Sequence, residues 1–330
     1  MISRRLITAA SLAIASTLVL SACASGTEPT PTASASADSG AYYPVTVTDM
    51  AGNTVEVESA DSVVITDNRF FQLAADWDLP LAAAPLSLFS PNNPLADSTT
   101  ILNMGTHREP DLEKVVAADP DLVINGYRFS GDTAQGVKDA APGAAFMDMT
   151  ADDLSVDEYV IKSITLMGEV FNKKDEAKAL IDQFHDSLEK ARAAYDPAVT
   201  VMGLVTTGKD INYSNPTDGR GASVFFDLLS MTPALDTSGS SDHTGDDISL
   251  EAIAAAQADF FLVLDRAAAV SGGTDDLAAL ELITGSPSLA SVPAVTNNAI
   301  YVMPGDYYLT EDIFAYTAVL DGLTTSFSAL

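Results

Sequence analysis

Cysteine occurs once in the 330 residues, as Cys23, and the 16 lysines and arginines are outnumbered by 46 acids. A lone cysteine cannot close an internal disulfide. With a formal net charge of −30, the surface is excluded as a nucleic-acid or anionic-lipid binder. Histidine is scarce: His107, His185 and His243 are scattered, and none stands at i, i+4 from another. His185, between Phe184 and Asp186, reads as a surface or boundary residue. There is no G-x-S-x-G elbow, G-x-G-x-x-G, P-loop or H-E-x-x-H, so the signals for catalysis are poor.

One apolar run stands at the start. Arg4 and Arg5 precede "LITAASLAIASTLVL", which is shorter than the roughly 20 apolar residues of a membrane span. "LSAC" (Leu20 to Cys23) follows and matches a bacterial lipobox, in which the cysteine is acylated and becomes the first residue. Multiple acyl chains on Cys23 would anchor the chain stably at the extracytoplasmic face of the cell membrane. Loss of Arg4 and Arg5 with the leader takes the formal charge from −30 to −32. "ASGTEPTPTASASADSG" has little to bury and reads as a flexible leash of roughly 20 Å.

Beyond it, "YPVTVTDMAGNTVEVE" alternates around a Gly-Asn turn, as a hairpin does. Short apolar strands then alternate with amphipathic helices, the pattern of an α/β lobe with a mostly parallel sheet. Ala177, Leu180, Ile181, Phe184, Leu188, Ala191 and Tyr195 recur at helical spacing. A helix over 174–195 would be about 33 Å long. After Pro197 the alternation resumes.

The two α/β stretches echo each other. "DLEKVVAADPDLVINGYR" and "SLEAIAAAQADFFLVLDR" place Arg128 and Arg266 15 residues after Glu113 and Glu251, and an acid opens each strand 8 residues after its glutamate. Duplication of a helix–strand unit explains this better than coincidence. In open α/β sheets the ligand crevice lies at the carboxyl ends of the strands, so Arg128 and Arg266 should face one cleft from opposite lobes. The plainer reading is a structural arginine paired with a nearby acid such as Asp265.

Arg220, in "SNPTDGRGASVFF", precedes a helix expected from about Ala222. "DYYLT" puts Tyr308 after the strand "AIYVMP", and His243 sits in the polar loop "SSDHTGDD". A loop histidine needs no more than solvent. Tyr127, beside Arg128, and Tyr213, on the way to Arg220, are further candidates for ligand contact. Converging guanidinium groups with a tyrosine suit a large, delocalised anion with aromatic surface. A cage of His107, His243 and acids around a bare transition metal would require the histidines to meet across the cleft.

The lipobox, the hairpin, "MGTHREPDLEKVVAADPDLVING" and the long helix together resemble the iron-siderophore-binding lipoproteins of ABC importers. The likeness spans essentially the whole mature chain, and "EPDLEKVVAADPDLVI" is its most specific segment. It implies two Rossmann-like lobes joined by a single long α-helix, with the ligand cleft between them. The expected boundaries are a signal peptide at 1–22, lipidated cysteine and linker at 23–41, N-terminal lobe at 42–173, interlobe helix at 174–195 and C-terminal lobe at 196–330.

Within that family the contexts of Arg128, Arg220 and Arg266 look like those of petrobactin and catecholate-siderophore binders, whose arginine triad faces the ligand. The resemblance further implies His243 and Tyr308 as groups that complete the coordination of Fe(III), Glu113 and Glu251 as docking contacts for the permease dimer, and an ATPase that works with that permease. It implies a monomer with no intrinsic cofactor and no enzymatic activity, carrying a ferric siderophore. Tyr127 and Phe129 crowd the N-lobe arginine and could alter which siderophore fits. Haem or cobalamin uptake is the rival within the class. A surface-attached hydrolase built on the "SGSSDHTGDD" loop, or an adhesin without a small ligand, are the rivals outside it.

Overall fold

The computed structural model describes residues 42–271 and 278–330, so the expected leader, Cys23 and the linker lie outside the described residues. The chain opens on an antiparallel hairpin, β1 (Val45–Thr48) with β2 (Thr54–Val57). There follow β3 (Val63–Ile65), α1 (Phe71–Asp76), β4 (Leu81–Ala84), β5 (Leu102–Asn103), α2 (Leu112–Ala118), β6 (Leu122–Asn125), α3 (Asp132–Ala140) and β7 (Ala145–Asp148). These strands form one parallel sheet in the order β5-β4-β3-β6-β7.

Two helices then carry the chain across: α4 (Val156–Val170) and α5 (Lys174–Ala194). The second lobe comprises β8 (Thr200–Thr207), β9 (Asp210–Ser214), α6 (Ser223–Leu229), β10 (Thr232–Pro233), α7 (Leu250–Ala255), β11 (Phe260–Asp265), α8 (Arg266–Ser271), α9 (Ala279–Thr284), α10 (Pro293–Thr296), β12 (Ile300–Val302), α11 (Tyr307–Thr310) and α12 (Ile313–Phe327). Its sheet runs β10-β8-β11-β12 in parallel, with β9 folded back antiparallel on β8. The architecture is the expected one of two α/β lobes linked by a long helix.

Period-two alternation decides which face each strand residue serves. In β11, Phe260, Leu262 and Leu264 enter the core shared with α4, α5 and α12, while Phe261 and Val263 enter a separate core on the other face. In β6, Leu122 and Ile124 face the shared core and Val123 the outer one of the first lobe. Both strands are thus buried on both faces, which is why they read as unbroken apolar runs. The shared core is continuous across the lobes. Helix α5 contributes Phe184 and Leu188, each worth about 1.5–3 kcal/mol of apolar burial.

Two elements depart from the sequence reading. Helix α4 was not expected, although Ser155 and Glu158 form a capping box, with the Ser155 backbone N–H donating to the Glu158 carboxylate at 3.2 Å. Strand β9 was not expected either, because "NYSNP" reads as loop. A turn through Gly208 at φ +61° closes the β8–β9 hairpin and fixes the register Leu204↔Tyr213.

Candidate ligand-binding site

The order of strands reverses between β3 and β6 in the first sheet and between β8 and β11 in the second. Such switch points open a crevice at the carboxyl ends of the strands. The loop after β3 supplies Asn68 and Arg69, the turn after β6 supplies Tyr127 and Arg128, and β11 runs directly into Arg266. Gly126 permits the first of these arrangements: a Cβ there would lie 2.3 Å from the Cβ of Asp67. Any larger residue would push the two loops apart.

Arg128 donates from Nε to Oδ1 of Asn68 at 2.9 Å, and the Nδ2 of Asn68 donates to the carbonyl of Leu309 in the other lobe at 2.7 Å. Its guanidinium lies 5.0 Å from the centre of the Tyr127 ring. Arg220 and Arg266 reach the same place from the second lobe, with their guanidinium carbons 5.2 and 5.4 Å from the ring of Tyr308. His243 meets that ring edge-on, at 6.2 Å between centroids. Arg220 and Arg266 thus meet at one ring, and Arg128 is tied to the same lobe boundary through Asn68 and the Leu309 carbonyl. Gly221, at φ +81°, allows the turn that carries Arg220. The Oγ of Ser214 donates to the Arg220 carbonyl at 2.9 Å and fixes it.

Asp265 does not neutralise Arg266. Its carboxylate accepts from the backbone N–H groups of Ala268 and Ala279, at 3.0 and 3.1 Å. The Nε of Arg266 is buried and has no hydrogen-bond partner among the described residues, and neither has the Nε of Arg220. Buried donors without partners are costly, so these side chains are poised for an acceptor from outside.

Two residues in the seam, Glu311 and Arg69, carry almost no mark in the sequence pattern. Glu311 accepts from Nη2 of Arg220 at 2.6 Å, with the two side chains 15% and 17% exposed. Arg69 is bonded through Nε to both carboxylate oxygens of Asp67, at 2.9 and 3.1 Å. It is wedged between the rings of Tyr127 and Tyr159, at 4.7 and 4.3 Å, and so serves to hold Tyr127. His107, already named as a possible metal-cage residue, has a buried Nδ1 with no partner among the described residues. The only advance signal for Arg69 was an acid two residues before it; Glu311 gave none.

Burial, followed by the charges of Arg128, Arg108 and His243, holds His107 below the ordinary histidine range. His243, although exposed, is lowered too, by partial desolvation and then by Arg220 and Arg128. Both are therefore neutral near pH 7. Among the described residues no group of three His, Cys, Asp or Glu could hold a bare metal ion.

Tyr213 is a correction. It is 2% exposed, its ring packs in the outer core of the second lobe, and its hydroxyl donates to the carbonyl of Leu235. Alternation along β9 turns its side chain inward, away from the seam. Glu113 and Glu251 are exposed in the first turns of α2 and α7. Open concavities of about 660 and about 690 Å³ lie elsewhere, one beside Asp49, Asp152 and Lys162, the other beside Asp210, Asp247 and Lys209. Acids predominate over lysine in both, so neither suits an anion, and the seam is the candidate site by its chemistry rather than its volume.

Residues 63–307 match the profile of a family described as Periplasmic binding protein, Peripla_BP_2. The petrobactin-binding protein YclQ of Bacillus subtilis strain 168 is 25% identical over 211 residues, covering 63% of this chain and 63% of that relative. The chain thus aligns with less than two thirds of the relative's length. The siderophore-binding protein BauB, solved with two molecules of acinetobactin and ferric iron, superposes with a TM-score of 0.74 at 17% identity, covering 87% of this chain and 100% of BauB. The periplasmic catecholate-siderophore-binding protein VctP of Vibrio cholerae gives 0.71 at 18% identity, covering 85% and 99%. At such identities these superpositions speak to the fold, which agrees with the profile match over most of the chain. The chain belongs to the periplasmic binding protein family.

Proposed function

We propose that this chain is an extracytoplasmic solute-binding protein that captures a ferric siderophore of catecholate or mixed-catecholate type and delivers it to an ABC importer. One observation carries the reading: Arg220 and Arg266 from the second lobe lie over Tyr308, beside His243, and Arg128 from the first lobe lies over Tyr127 and is tied through Asn68 to the Leu309 carbonyl, next to Tyr308 in the chain. A delocalised anion with aromatic edges fits guanidinium groups that already lie over tyrosine rings.

A charge-assisted hydrogen bond nets about 1.5–3 kcal/mol, and micromolar binding needs about 8 kcal/mol. Because Arg220 is already engaged with Glu311, Arg128 and Arg266 supply most of the polar attraction. Tyr127 and Tyr308 add aromatic contact, and the latter, with His243, is suited to complete the coordination of Fe(III). The names of YclQ and VctP, as petrobactin- and catecholate-siderophore-binding proteins, support this class of guest.

Delivery rests on Glu113 and Glu251. A helix leading into a parallel strand runs antiparallel to it, so α2 and α7 begin on the side of the seam. A permease dimer settling over its mouth would meet one exposed acid from each lobe. Tethering through Cys23, and a monomeric state, complete the reading.

Titration with a ferric catecholate, a ferric hydroxamate, haem and cobalamin, followed by protein fluorescence and the visible charge-transfer band, tests it. Tight binding of the catecholate is expected. Tight binding of the hydroxamate alone would overturn the catecholate assignment, and binding of haem or cobalamin alone would overturn the siderophore reading.

A further inference from the structure

Glu311 is an odd residue to find in a seam lined for an anion. It sits in the left-handed region (φ 44°) between the end of α11 and Asp312, the residue that caps α12. That position aims its carboxylate at Arg220, 2.6 Å away. Burial raises its carboxyl above the usual range, and Arg220, then Arg128 and Arg69, oppose that rise and favour the carboxylate. Asp67 already cancels Arg69. Among Arg128, Arg220, Arg266 and Glu311 the balance is two positive charges, while Asp306, at the lobe contact, is held by Ser90 and Asn92. At the mouth of the seam, exposed Arg108 and Asp242 offset one another and are screened by solvent.

We propose that Glu311 sets the charge of the guest, so that the seam prefers ferric complexes of about two negative charges over triply negative ones; this rests on the siderophore reading above. Three catecholates contribute six phenolate charges to Fe(III) and leave a triply negative complex. Replacement of one catecholate by a hydroxamate leaves a doubly negative one, and three hydroxamates leave a neutral one. A triply negative guest brings one charge more than the seam neutralises and presses it against the Glu311 carboxylate in a poorly solvated space. The doubly negative guest matches Arg128 and Arg266, while Arg220 keeps its internal partner and offers its unbonded Nε. Repulsion of this kind discriminates by penalising the wrong ligand rather than by tightening the right one.

The test compares the wild-type chain with Glu311→Gln, which keeps the shape and can still hydrogen-bond Arg220. Binding of three iron complexes is measured: tris-catecholate, bis-catecholate–hydroxamate and tris-hydroxamate. The wild type should bind the doubly negative complex about tenfold or more tighter than the triply negative one. E311Q should erase that preference by tightening the triply negative complex about tenfold, with the neutral complex moved by less than about threefold. Equal or tighter binding of the triply negative complex by the wild type would overturn the inference whether or not the variant folds. So would an unchanged ratio in E311Q, or an equal loss for every complex, which would make Glu311 only a support for Arg220. In either case the siderophore reading would stand. Binding of none of the three would overturn that reading and this inference with it.

Discussion

Arg266 shows how much depends on where a single carboxylate points. Its neighbour Asp265 is spent on the backbone N–H groups of Ala268 and Ala279, so the guanidinium at the end of β11 keeps its full charge, with a buried Nε unbonded among the described residues. Arg220, by contrast, is already engaged with the Glu311 carboxylate, 2.6 Å away. Replacing Arg266 with Ala should therefore weaken binding of the doubly negative complex by about 1.5–3 kcal/mol, and replacing Arg220 with Ala should cost less. Isothermal titration of both variants checks the order. Equal losses would mean that Glu311 does not hold Arg220 in solution. Arg128 and Arg266 were legible because a repeated helix–strand unit placed both at strand ends. Glu311 was not, since a carboxylate 91 residues from its partner leaves no local trace.

Helix α12 carries a group whose titration the fold disturbs. Asp312 caps it by accepting the Ala315 N–H at 2.8 Å, but Oδ2 is buried without a partner among the described residues and the residue is 4% exposed. Burial, opposed by that cap, pushes the carboxyl up to about 7. A carboxyl raised in the folded state contributes stability that is fully present below its unfolded pKa of about 3.9 and is lost as pH rises through about 7. Asp312→Asn keeps the capping oxygen and removes the charge. It should raise stability at pH 8 by roughly 1–3 kcal/mol, with the gain vanishing near pH 4. Thermal or urea unfolding at the two pH values measures it, and an equal effect at both would show that Asp312 is neutral throughout.

The elements themselves were unevenly readable. Strands β6 and β11 announce themselves as apolar runs, and α5 by its stripe. Strand β9 is short and polar at alternate positions, so its pairing with β8, and with it the inward turn of Tyr213, appears only when the hairpin closes.

The molecule as a whole is a strongly negative body with a positive seam. At −30, its far field repels an anionic guest, whereas contact energies are local to the arginines. Salt screens the first more than the second, over about 8 Å at physiological strength. The association rate of the doubly negative complex should rise about two- to fivefold between about 20 and about 200 mM NaCl. Stopped-flow fluorescence reads this directly. A falling rate would show that the seam, and not the net charge, steers the encounter. The lobes are also stitched across the seam: Asn68 links Arg128 to the Leu309 carbonyl, and Asp306 accepts from Ser90 at 3.3 Å and from Asn92 at 3.4 Å. The guest site and the lobe contact therefore share residues.

Local pattern alone determined the two α/β lobes, the linking helix and the pair of strand-end arginines, because apolar periodicity and chain direction are properties of neighbouring residues. Which charges remain free was decided only in three dimensions. Asp265 turned to the backbone, Glu311 turned to Arg220, and Tyr213 turned into the core, each through partners distant in sequence or through a strand pairing that no short window contains.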